Sequence, residues 1–130
     1  GLVAITPAAG FVSLGHSMLI GFIAALVSNW AIQYQKKLAL DDALDVFASH
    51  GIGGVVGMIL TGVLAEDVGL VNGKTEVFLM HFVTLIGVAI FAFCGSYGLY
   101  ALVNAMIPLR VSSDQEQRGL DSSQHGEKLG

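Results

Sequence analysis

The side chain in this sequence best suited to chemistry is the imidazole of His50, in the run Asp45-Val46-Phe47-Ala48-Ser49-His50-Gly51-Ile52-Gly53-Gly54. Imidazole changes its charge near neutral pH, and its ring nitrogens can donate and accept hydrogen bonds, so it can pass a proton or stand in for the lost water of a small solute. Residues 46 to 65 carry no Asp, Glu, Lys or Arg. An ionisable group in so apolar a stretch is costly unless it lines a pathway or bonds to a neighbouring helix. His50 therefore has two readings, as a wall residue of a conduit or as a packed residue held by another helix. Wound as an α-helix, the stretch puts Val46 one turn before His50 and Gly54 one turn after it. That narrow, mostly apolar lining favours the conduit and suits a solute that must shed its water.

Other side chains carry weaker signals. Asp45 is either a vestibule residue or a first-turn acid complementing the helix dipole. His16 and His81 lie near the ends of apolar stretches and read as interfacial, and Trp30 and Tyr34 beside Lys36 read as part of an aromatic belt. Cys94, the single cysteine, reads as a small buried hydrophobe, with no disulfide or thiolate metal site implied. Nothing in the sequence points to an enzyme: there is no nucleophile beside a base, no carboxylate pair at membrane depth and no phosphate loop. No cofactor or metal is expected, and no surface for nucleic acid.

The elements that must position His50 follow from composition. Of 130 residues, 54% are hydrophobic and only 12% charged, with mean hydropathy +0.72, about half the charged fraction of a soluble domain. The charges are unevenly spread: residues 1 to 35, 46 to 65 and 77 to 109 have none. Uncharged blocks of roughly 20 residues are candidate membrane-spanning helices. The expected fold is all-α and integral to a membrane, with helices over 13–38, 42–65 and 75–108 preceded by the end of another.

Pro7 and Gly10 predict a turn near residues 6–12. Ser17, Gly21 and Ala25 predict a smooth packing stripe on the first long helix, and Gly53, Gly57 and Thr61 one on the second. Asp41 and Asp42 supply capping chemistry for the second helix. The third, at about 1.5 Å per residue, is longer than about 30 Å of hydrocarbon and must tilt, kink or project. Residues 109–130 switch to Ser, Gln, Asp, Glu and Gly and read as a polar tail, either disordered or docked on something. The opening Gly1-Leu2-Val3 has neither methionine nor a basic leader, so the chain reads as a piece of a longer polypeptide.

Basic residues set the expected orientation. Lys36, Lys37 and Arg110 fall on one side with Arg118 and Lys128, while the opposite loop holds Lys74 among Glu66, Asp67 and Glu76. The positive-inside rule puts the tail and the 36–42 loop in the cytoplasm. Counted from Asp42 along a helix, His50 is about 12 Å in, near the midplane.

Three segments together resemble one family. Gly-Leu-Val-Ala-Ile-Thr-Pro-Ala at 1–8, Asp-Asp-Ala-Leu-Asp-Val-Phe-Ala-Ser-His-Gly at 41–51 and the tail Arg-Gly-Leu-Asp-Ser-Ser-Gln-His-Gly-Glu at 118–127 are similar to the C-terminal part of ammonium transporters. The resemblance implies an eleven-helix fold of two inverted halves plus a last long helix, assembled as a homotrimer in the cell membrane with a cytoplasmic C-terminus. It makes His50 the second of a pair of pore histidines and Val46 a pore-lining residue below it, with Asp45 toward the cytoplasmic vestibule. The substrate implied is ammonium or ammonia. The tail, through Arg118, Gly119, Asp121, His125, Gly126 and Glu127, would be regulatory and offer a site to a PII-type signal protein. Ser112-Ser113 departs from the Pro-Glu of many relatives. The partner histidine belongs to earlier helices of the family, outside this sequence. An ammonium-sensing receptor module and a Rhesus-type ammonia channel are the alternatives of the same fold.

Overall fold

A computed structural model describes residues 1–38 and 41–127. The chain forms helix α1 (Leu2–Ile5), a 3-10 turn (Thr6–Ala8), α2 (Leu14–Lys37), α3 (Phe47–Leu64), a second 3-10 turn (Leu70–Asn72), α4 (Glu76–Met106) and α5 (Ser113–Arg118). No strand occurs among the described residues. Helices α2, α3 and α4 are each long and apolar enough to cross a membrane, and their bounds lie close to two of the three expected ranges.

The first long helix begins where Ser13 accepts a hydrogen bond from the His16 backbone N–H on its side-chain oxygen (3.3 Å). It ends with Lys36 and Lys37 in its last turn, where positive charge offsets the carbonyl end of the helix dipole. The turn expected at residues 6–12 is present, with Pro7 in the 3-10 turn and Gly10 at φ +82°. That left-handed backbone is one glycine adopts without cost.

A core of small and branched apolar residues ties α1, α2 and α3 together: Ala4, Ala8, Ile20, Ala24 and Leu64, with Ile5, Val12, Val56, Leu60 and Val63 packed around it. The expected small-residue stripe of α3 is the packed face, since Gly53, Gly57 and Thr61 are all buried. A Cβ on Gly57 would overlap the backbone of Ala4, and one on Gly53 would meet the Ser28 hydroxyl at 3.4 Å. The stripe expected on α2 is corrected. Gly21 faces open space and Ala25 is exposed, while Ile20 and Ala24 make the contact. A four-residue spacing identifies a helix face but not which face finds a partner, and α2 packs one residue out of phase with that stripe.

The backbone N–H of Glu66 donates to the Phe11 carbonyl at 2.8 Å, joining the loop before α2 to the segment after α3. The start of α2 and the end of α3 therefore share one end of this bundle, and α2 and α3 run antiparallel. The chain divides into two compact units, Gly1–Ala89 and Ile90 onward, with the boundary inside α4. No residue of α4 is buried.

Candidate functional site

The stretch carrying His50 is not the plain α-helix expected from residue 42. After Asp42 the chain makes a turn at Ala43 and Leu44, and Asp45 takes a left-handed backbone at φ +52°, a conformation Asp tolerates better than most residues. Helix α3 starts only at Phe47, and Phe47–Ile52 is π-helical before the α-helix proper begins at Gly53. Hydrogen bonds in such a segment reach five residues rather than four. The one-turn neighbours of His50 are thus not set by the spacing of four that picked out Val46 and Gly54. His50 lies in the opening turn of α3, so the 12 Å counted from Asp42 does not stand: the irregular chain at 43–45 takes up those residues.

Asp42 nevertheless does the capping foreseen for it, from outside the helix. Its Oδ1 accepts from the Val46 N–H and its Oδ2 from the Phe47 N–H, both at 2.9 Å, satisfying two of the donors that a helix start leaves without partners. Oδ2 also accepts from the Gln35 side-chain amide at 2.9 Å. The Gln35 amide, followed by the Phe47 and Val46 backbone donors, holds the Asp42 carboxyl below its ordinary value of 3.8, because each stabilises the ionised form. Gln35 is itself buried, at 7% exposure. Sequence reasoning passed over it, although a glutamine in the last turn of an apolar helix, seven residues ahead of Asp42, was a readable signal.

Asp45 presents its backbone to the site. Its carbonyl accepts from the Ser49 N–H at 2.9 Å and the Ser49 hydroxyl at 2.7 Å. Val46 is 48% exposed and Phe47 62%. The Phe47 ring leans over Gly51, where a Cβ would come within 3.2 Å of it. Between them Ala48 is buried against the bundle, which turns His50 outward. The His50 ring is exposed and bonds to no other group among the described residues, so the packed reading is not satisfied by any helix of this chain.

The remaining candidates are dispersed. His81 Nδ1 lies 2.9 Å from the Val77 carbonyl of its own helix, and His16 Nδ1 is buried without a hydrogen-bond partner among the described residues. Trp30 and Tyr34 stack at 5.8 Å close to Lys36 and Lys37. Cys94, expected to be buried, is exposed on α4. No group of three or more potential metal ligands occurs among the described residues.

The sequence model described as the Ammonium Transporter Family matches residues 1–129. This chain belongs to the ammonium transporter family. It is 40% identical to an ammonium transporter of Bacillus subtilis, over 98% of this chain and 34% of that protein. It is 39% identical to the ammonium transporter Amt1 of Archaeoglobus fulgidus, again over 98% and 34%, and 42% identical to one from Aquifex aeolicus, over 98% and 31%. The chain thus spans about a third of the length of the curated relatives it matches. As an ammonium transporter family member with three helices fit to cross a bilayer, it is a membrane protein.

The tail of this family member is ordered by its own hydrogen bonds over the described residues. Ser112 and Gln115 form a reciprocal capping box at the start of α5. Arg110 pairs with Glu116 and Arg118 with Asp114, each at 3.0 Å. Gly119 at φ +90° ends α5, and a π-helical turn, Asp121–His125, closes at Gly126 with φ +70°. The Glu127 N–H donates to the Asp121 carbonyl at 3.0 Å. The two glycines of the expected regulatory set therefore hold turns that side chains rarely adopt. Arg118 and Asp121 flank the first turn, while His125 and Glu127 border the second. Lys128 lies outside the described residues.

Proposed function

We propose that this chain is the C-terminal part of an ammonium transporter and supplies one histidine, His50, to its pore. The observation that carries the reading is the exposed, unbonded His50 ring on a π-helical turn, in a chain whose family is that of ammonium transporters. Segments wound in this way recur at functional sites, and a ring that no helix of this chain satisfies is available to a partner on the remaining two thirds of the protein.

In this mechanism ammonium sheds water on entering an apolar pore, where low polarity disfavours the charged form. His50, with a second histidine contributed by the rest of the transporter, accepts hydrogen bonds or a proton from the substrate in place of that water. Val46 lines the passage next to it. Asp45 belongs to the cytoplasmic vestibule, acting through the turn that its left-handed backbone makes. The protein sits as a homotrimer in the cell membrane with the tail in the cytoplasm, and Arg118, Gly119, Asp121, His125, Gly126 and Glu127 present a regulatory surface to a PII-type signal protein.

Replacing His50 with Ala in the complete transporter should lower methylammonium uptake about tenfold or more, the effect of roughly 1.4 kcal/mol on the rate-limiting barrier, at unchanged abundance in the membrane. Undiminished uptake with unchanged selectivity would remove His50 from the pore. Ending the chain before Ser112 should change uptake or its regulation while trimers still form, as judged by cross-linking. Uptake and regulation both matching the intact protein would rule out the role given to the tail.

A further inference from the structure

Two polar side chains, of Gln35 and Asp42, meet at the start of α3, and the pore reading uses neither. Gln35, in the last turn of α2, is buried yet polar. Its amide nitrogen donates to Asp42 Oδ2, and the same carboxylate accepts the Val46 and Phe47 backbone N–H groups on its two oxygens, all at 2.9 Å. One side chain of α2 is thereby joined, through one carboxylate, to the backbone donors of Val46, just ahead of the π-helical segment that carries His50, and of Phe47, its first residue.

We infer that Gln35 and Asp42 form a brace that sets the winding and rotation of the π-helical turn, and that Gln35 is thus a positioning residue for His50. The inference rests on the proposed pore role of His50 for its functional meaning and on the geometry alone for its structural one. A π-helical turn is intrinsically poorer than an α-helical one, so something outside it must fix where it begins. The left-handed Asp45 and the turn at 43–44 separate α3 from the preceding chain. The carboxylate is the contact that still specifies which N–H is first. Charge-assisted hydrogen bonds are the stronger kind, and Gln35 aims that carboxylate by holding one of its oxygens against α2. A glutamine at the end of an apolar helix is costly to bury. Its Oε1 is buried without a partner among the described residues, so the single bond to Asp42 is the one return the structure shows for that cost.

The test uses the complete transporter with 15N-labelled histidine in lipid nanodiscs, the His50 signals being assigned by their loss in His50→Ala. Gln35→Met keeps the length and removes the donor. It should shift the His50 ring signals, leave those of the other histidines in place, and lower methylammonium uptake roughly fivefold, the population effect of losing about one net hydrogen bond. The double variant Gln35→Met/His50→Ala should transport no worse than His50→Ala, because Gln35 acts through His50. Asp42→Asn retains one carbonyl acceptor and can meet a rotated Gln35 amide, so it should give an intermediate shift. It replaces Gln35→Met in the same comparisons if that variant fails to accumulate.

Unmoved His50 signals, or a double variant whose loss is the product of the two single losses, would overturn the brace. If His50→Ala transports normally, the pore reading falls by itself. A shifted His50 signal in Gln35→Met would then still uphold the brace, and an unshifted one would still overturn it.

Discussion

The two halves of α3 are built on different principles. From Gly53 to Leu64 the helix is α-wound and its face of small residues lies against α1 and α2, with Gly57 on the backbone of Ala4 and Gly53 near Ser28. From Phe47 to Ile52 it is π-wound, with Ala48 buried against the bundle, Phe47, His50 and Gly51 exposed, and its first N–H, that of Phe47, held by the Asp42 carboxylate. The α-wound half is specified by shape alone, the π-wound half by the burial of Ala48 together with polar contacts at its start. The second arrangement leaves the His50 ring exposed, which suits the pore role proposed for it. The packed half anchors the turn that carries His50.

The contrast can be broken most severely at Gly57. A leucine there has nowhere to go against the Ala4 backbone, and overpacking at such a contact should cost about 3 kcal/mol, the upper end of the usual range. Thermal unfolding of the transporter in detergent would register this as a large fall in midpoint, while an unchanged midpoint would show that α1 yields. A smaller, local effect is expected at the other half. The Asp42 carboxyl is held below its ordinary value of 3.8 by the Gln35 amide and the Phe47 and Val46 donors. A depressed folded-state value means that the carboxylate contributes stability above the unfolded-state value and loses it as pH falls through the folded one. Protection at Val46 and Phe47, taken as exchange relative to the intrinsic rate at each pH, should therefore hold down to the ordinary carboxylate range and fall only below it, with Gly57 to Thr61 unaffected. Loss of protection well above pH 3.8, or simultaneous loss in both halves, would mean that the two are not independently held.

Much of this was readable in the sequence because uncharged length is a strong signal. The three spans, the turn around Pro7 and Gly10, and the buried stripe Gly53, Gly57 and Thr61 all follow from composition and spacing. The break before Phe47 did not. Asp-Asp-Ala-Leu-Asp contains neither Gly nor Pro, and although the capping role of Asp42 was legible, its reach of four and five residues to Val46 and Phe47, across a turn and a left-handed Asp45, was not. The π-winding is equally silent, since apolar periodicity over six residues does not distinguish four-residue from five-residue bonding. His50 itself stood out because a titratable ring in an uncharged stretch is rare. Gln35, its buried neighbour by way of Asp42, was masked by the lysines and aromatics around it, which read as an ordinary helix end.

The contact between Ala4 and Gly57 also bears on the order of events during biosynthesis. The core that buries Ala4 is completed by residues of α3, about fifty residues further along the chain. At a synthesis rate of about 5–20 residues per second, the segment 1–8 waits several seconds before its final neighbour has been made. During that interval the side of α1 that Gly57 will occupy lacks its final neighbour.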